Sequence, residues 1–79
     1  GLSGAQAEVF ARLRAWRAEQ ARTQSVPAYV ILHDATLAEI AQRAPTTIDA
    51  LADIGGMGAK KLERYGTELL ELLQLETED

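Results

Sequence analysis

Cysteine is absent from this 79-residue chain, histidine occurs once, and aromatic residues make up only 5% of it. Without thiols there is no disulfide framework and no thiolate metal site, and a single imidazole falls short of a histidine-rich zinc or di-iron centre. Packing alone must hold the fold. Long apolar runs are missing as well. The longest, residues 28–32, is far too short to cross a bilayer, and no N-terminal stretch has the charged-then-apolar design of a signal peptide, so a cytoplasmic location is the expectation. Nor is there a GxxxxGK[ST] phosphate loop, an HExxH pair, or a set of carboxylates at metal-ligand spacing. The chain by itself is expected to catalyse nothing and to carry no cofactor and no metal.

Positive charge is scarce. Eight Lys and Arg face twelve Asp and Glu, a net charge of −4, which argues against a protein whose whole surface holds polyanions. The deficit is local, however. All eight cations and seven of the acids lie at or before Arg64. Beyond it come Glu68, Glu71, Glu76, Glu78 and Asp79 with no cation. The body is close to neutral and can present a basic patch that the sum conceals.

What is present reads as helix. The chain is short enough for one domain, spanning 1–79 with a core of about 4–74 and frayed ends. Leu2, Val9, Leu13 and Trp16 recur at helical spacing with Phe10 beside them, predicting a long amphipathic helix over residues 3 to about 23, opened by a Ser3/Gln6 capping box. Trp16 lies mid-stripe and is read as core, with its indole N–H needing a partner. Val26 and Pro27 end that helix. Tyr29 to Leu32 could be a strand on composition, but nothing strand-like exists to pair with it, so a short buried helical turn is the consistent reading. Thr36 with Glu39 reads as a capping box for a short helix closed by Pro45, and Thr46 with Asp49 as the start of another, with Ile48, Leu51 and Ile54 inward. After GGMG, a final helix from Ala59 carries Leu62, Tyr65, Leu69 and Leu72 on one stripe, widened by Leu70 and Leu73.

The segment LADIGGMGAKKLERYG is the most informative. Glycines at 55, 56 and 58 permit a tight turn, Met57 can tuck inward, and the amides of Gly56, Gly58 and Ala59 can point outward at a helix N-terminus, where an anion is favoured. A plain interhelical turn is the simpler alternative. Lys60, Lys61 and Arg64 occupy the first two turns of the last helix and Glu68 and Glu71 its later turns, the reverse of what a helix dipole prefers. Departures from local rules tend to mark function, so these cations become candidates for phosphate contacts, with a solvated face as the alternative. Arg14 and Arg17 border the apolar stripe of the first helix and either extend this basic surface or pack their stems against the core. Tyr29, in the proline turn, can stack on an unpaired base or pack. His33 and Asp34 are adjacent, but neighbours in a helix do not face each other and no nucleophile accompanies them, so no catalysis is assigned.

Taken in order, LRAWRAEQA, VPAYVILHDATLAEIA and PTTIDALADIGGMGAKKLERYG resemble the helicase-and-RNase-D C-terminal (HRDC) domain over residues 8 to 73. The resemblance implies an all-α, compact five-helix bundle with a helix-hairpin-helix-like turn. It also implies an accessory module, monomeric, appended to a RecQ-type ATP-dependent DNA helicase, or to RNase D or a UvrD-like helicase, in DNA repair and recombination. Such a module binds single-stranded or branched DNA weakly, through Tyr29 and through Lys60, Lys61 and Arg64. The acidic balance leaves a second reading open, a regulatory module that docks on the parent's catalytic domains or another protein through its carboxylates. Ala28 and Gly55 stand where this family often has proline, which implies looser turns.

Overall fold

The computed structural model describes residues 1–77. Five α-helices make up its regular structure: α1 (Gly4–Gln24), α2 (Ala28–Ile31), α3 (Asp34–Arg43), α4 (Ile48–Ala52) and α5 (Ala59–Thr77). The long α1 and α5 bracket three short helices. α1 packs on α2, α3 and α5, and α4 packs on α5.

Local chemistry explains most boundaries. Ser3 accepts from the Gln6 N–H while the Gln6 side chain accepts from the Ser3 N–H, the reciprocal pair expected at the start of α1. Ser25 turns left-handed at φ 56°, and the Val26 N–H reaches back to the Ala21 carbonyl at 3.0 Å, so α1 ends in a tight hydrogen-bonded cap before Pro27 redirects the chain. Leu13, Ile31, Leu32, Leu37, Ile40, Leu51 and Leu69 are fully buried and draw every helix into a single core. Gly66 lets α4 approach α5, because a Cβ there would stand 3.1 Å from the Ile48 side chain.

Several local expectations are corrected. α3 starts at Asp34 with His33 as its N-cap, so Thr36 and Glu39 form no capping box. Instead the Thr36 hydroxyl donates to the Gly55 carbonyl at 2.9 Å, and Glu39 Oε1 accepts from the Gly55 N–H at 3.3 Å. Both backbone polar groups of Gly55 are tied to α3, and the turn is held rather than loose. The cap of α4 is Thr47, not Thr46, its hydroxyl accepting from the Ala50 N–H at 3.1 Å. Ile48, expected inward, is 41% exposed, and in the α2 turn Tyr29 and Val30 are exposed while Ile31 and Leu32 are buried. Trp16 is half-buried on the edge of the core. The helical backbone of α5 runs on to Thr77, beyond the expected core limit of about 74, whereas Glu78 and Asp79 of the acidic end lie outside the described residues.

Candidate nucleic-acid interface

The cations nominated from sequence divide into those the fold consumes and those it leaves available. Arg17 is consumed. Its guanidinium is buried, donating to the Leu32 carbonyl at 2.8 Å and pairing with Asp34 Oδ1 at 2.6 Å. It satisfies the chain where α2 hands over to α3 and does not extend a basic surface. This ion pair, mainly through its hydrogen bond, lowers the Asp34 carboxyl below the ordinary aspartate range. Arg14, one turn earlier, is exposed, with its guanidinium 5.9 Å from the Phe10 ring, and lies near enough to contribute to the field at Asp34.

Lys61 is consumed as well. Its ammonium donates to the carbonyls of Val30 and Ile31, the latter at 2.7 Å, so it caps the C-terminal end of α2, where a cation is favoured. Lys60 is exposed, with no side-chain hydrogen bond or ion pair among the described residues. Arg64, one turn further on the same face as Lys60, is exposed with its guanidinium 5.6 Å from the Tyr65 ring. The reversed polarity of α5 therefore has a packing explanation at both ends. Lys61 closes α2, and Glu68 accepts from the Trp16 indole N–H at 2.6 Å and from the Gln20 amide at 3.1 Å. Trp16 in turn meets Tyr65 edge-on, with centroids 5.3 Å apart at 88°. Glu68 is thus engaged by α1 although it stays exposed, and Glu71 is exposed as well.

At the hairpin, Met57 is buried as expected and its N–H donates to Ile54, while Gly56 and Gly58 are exposed. Gly56 sits at φ 90°, and a Cβ there would fall 2.2 Å from the Thr36 hydroxyl, so glycine is required by backbone and neighbour alike. The Glu39 carboxylate bonded to Gly55 through Oε1 also pairs with Arg43 through Oε2 at 3.1 Å, so the acid that reaches this turn arrives with its own cation.

The α2 turn is built differently. Tyr29 is 62% exposed, and its ring stacks on that of His33 with centroids 6.3 Å apart and planes 26° from parallel. Both rings border an open concavity with Arg17, Ala28, Asp34 and Ala35. His33 holds the N-cap position of α3 without a side-chain cap bond. Since Lys61 is fastened to α2 at the residues that follow Tyr29, the exposed aromatic turn and the first turn of α5, with Lys60, are neighbours. A separate groove of about 320 Å³, lined by Val9, Ala41, Pro45, Leu70 and Leu73 among others, has Glu8 as its one charge and no aromatic ring. Among the described residues, no group of acids and histidine stands close enough to hold a metal ion, and no helix is long and apolar enough to cross a membrane.

Sequence reasoning named Tyr29, Lys60, Arg64 and Arg14 but missed His33 as part of the aromatic surface. The signal was the spacing of two rings four residues apart across a helix junction, discarded because only catalytic roles were weighed for the imidazole.

A five-helix bundle with a glycine hairpin and an exposed aromatic turn defines a small helical module. The family model for the HRDC domain matches residues 6–73. The third HRDC domain of D. radiodurans RecQ has the same fold, with a TM-score of 0.88 and 31% identity, covering 94% of this chain and 97% of that one. The ATP-dependent DNA helicase UvrD2 of Mycobacterium tuberculosis (strain H37Rv) is 46% identical over 67 residues, 85% of this chain and 10% of that protein. The ATP-dependent DNA helicase RecQ of Haemophilus influenzae is 39% identical over 74 residues, 94% of this chain and 12% of that protein. This chain belongs to the HRDC domain family. It spans about a tenth of the length of the curated relatives it matches.

Proposed function

We propose that this HRDC domain is a non-catalytic accessory module of an ATP-dependent DNA helicase, acting in the cytoplasm and lending weak affinity for single-stranded or branched DNA to its parent. One observation carries the reading: Tyr29, an aromatic ring 62% exposed, lies next to the α5 turn that bears the uncommitted Lys60. An exposed ring beside cations is what a sequence-tolerant single-strand contact needs, the ring stacking on a base and the cations meeting phosphates. The residues assigned to this surface are Tyr29, Lys60, Arg64 and Arg14. Arg17 and Lys61 hold the α2 turn through its backbone carbonyls, and the exposed Gly56 and Gly58 backbone is a secondary contact.

With three cations engaged, the logarithmic salt dependence has a slope of about −2, and the isolated domain binds no better than roughly 10⁻⁴ to 10⁻⁶ M. Such affinity serves a tethered module, for which a short linker supplies an effective concentration on the order of millimolar. The test is a titration of labelled single-stranded and forked DNA at low salt with wild type, Tyr29→Ala and the double variant Lys60→Ala/Arg64→Ala. Binding that weakens at least fivefold in each variant, with folding intact, supports the reading. No binding at high micromolar protein overturns it, and capture of the parent's catalytic domains in its place transfers the surface to protein docking.

A further inference from the structure

The stack of Tyr29 and His33 ends at Asp34, and the chemistry of that carboxylate has a bearing on which base the turn accepts. Asp34 Oδ1 pairs with Arg17 at 2.6 Å, and the side chain, 70% exposed, lines the same concavity as the two rings. The charged groups around it are Arg17 and His33, with Arg14 acting from α1. Arg17 keeps the carboxyl ionised at neutral pH, so it is an acceptor only.

Resting on the DNA-binding reading above, we infer that the stacked pair of Tyr29 and His33 takes an unpaired base onto its stack, and that the exposed Asp34 carboxylate lining the same concavity makes the site prefer bases carrying an exocyclic amino group over thymine. The physical argument has two parts. A base laid on an outer face of the pair extends a stack already formed, and His33 is able to back the Tyr29 ring because it is exposed and makes no capping bond. The carboxylate then discriminates at the base edge. Cytosine and adenine present an amino donor at N4 or N6, and guanine presents a donor at N2. Thymine flanks its only N–H with two carbonyl oxygens that a carboxylate repels. The phosphates of the same strand are assigned to Lys60 and Arg64 on α5, and Arg14, which acts on the Asp34 carboxylate, offsets the repulsion of any phosphate on that side.

The experiment compares oligo(dC) and oligo(dT) of equal short length in low salt, by fluorescence anisotropy and amide chemical shifts on the 79-residue chain. The expected result is a preference for oligo(dC) of about threefold to tenfold, the size of one exposed charge-assisted hydrogen bond. Asp34→Asn still offers an oxygen to Arg17 but places an amide at the edge, and it brings the two affinities within twofold of each other. His33→Ala weakens both oligonucleotides about fivefold without a change in melting temperature, and His33→Phe restores them. Equal wild-type affinity for the two oligonucleotides, or a preference untouched by Asp34→Asn, overturns the inference while leaving the DNA-binding reading intact. Failure of both oligonucleotides to bind overturns the inference and the DNA-binding reading together.

Discussion

The glycine hairpin and the proline turn both stood out as candidate DNA contacts, and the structure treats them in opposite ways. At the hairpin, Gly55 is bonded to α3 through both its backbone polar groups, Gly56 leaves no room for a Cβ, Met57 is buried, and Lys61 is spent on the carbonyls of α2. Its unusual residues answer to packing. At the proline turn, Tyr29 and His33 face solvent with their rings stacked, and His33 makes no side-chain cap bond. Glycine and lysine at a helix start are ambiguous between fold and function, whereas an aromatic ring left in water beside a cation is not readily explained by stability.

The sharpest way to break this contrast is Gly56→Ala. The new Cβ meets Thr36 at a φ that L-residues avoid, so the variant is expected to lose about 3 kcal/mol of stability from strain and overpacking combined, read by urea denaturation. A loss under about 1 kcal/mol would mean that the hairpin is looser than its contacts indicate. Next in size is Arg17→Ala, which leaves the Leu32 carbonyl without its charged donor and is expected to cost about 2 kcal/mol. Arg14→Ala on the same helix should stay within about 0.5 kcal/mol of wild type and act on DNA instead. Equal costs for the two arginines would erase the division between consumed and available cations.

Lys61→Met and Lys60→Met repeat that comparison one residue apart. The first is expected to lose about 1 kcal/mol by uncapping α2 and the second nothing measurable, while DNA affinity falls in the second. The smallest effect is on acid stability. The carboxyl of Asp34 titrates lower in the folded chain than in the unfolded one, because Arg17 bonds its ionised form. Its contribution is therefore complete above the ordinary aspartate range and disappears as pH falls through the lowered folded value. Acid titrations of wild type and Asp34→Asn should diverge only in that window, with the variant the flatter of the two. Parallel curves would show that the Arg17 pair does not stabilise the fold.

How much of this could be read from the chain depended on how far apart the partners lie. Ser3 with Gln6, the break at Pro27 and the stripe of α5 are local and periodic, and the structure follows them. Thr36 and Glu39 carried the same local signature as Ser3 and Gln6 but found their partner in Gly55, 19 and 16 residues away, and no spacing rule distinguishes the two outcomes. The same limit hid the roles of three charges. Arg17 finds Leu32, Lys61 finds Val30 and Ile31, and Glu68 finds Trp16, across separations of 15 to 52 residues. A polarity argument based on one helix read Lys61 and Glu68 as a violated rule when each was answering a neighbour from another helix. Tyr29 was legible because a proline turn is a place where a ring can be exposed, and His33 was not, because its relation to Tyr29 crosses the junction between α2 and α3.

The division between a structural hairpin and an exposed aromatic turn is most directly tested by mapping amide shifts of the isotopically labelled chain during titration with a short single-stranded oligonucleotide at low salt. Perturbations centred on residues 28–34, joined by Lys60 and Arg64 and leaving Gly55 and Gly56 nearly still, are the predicted result. Shifts centred on residues 55–58 with Tyr29 and His33 unmoved would contradict it.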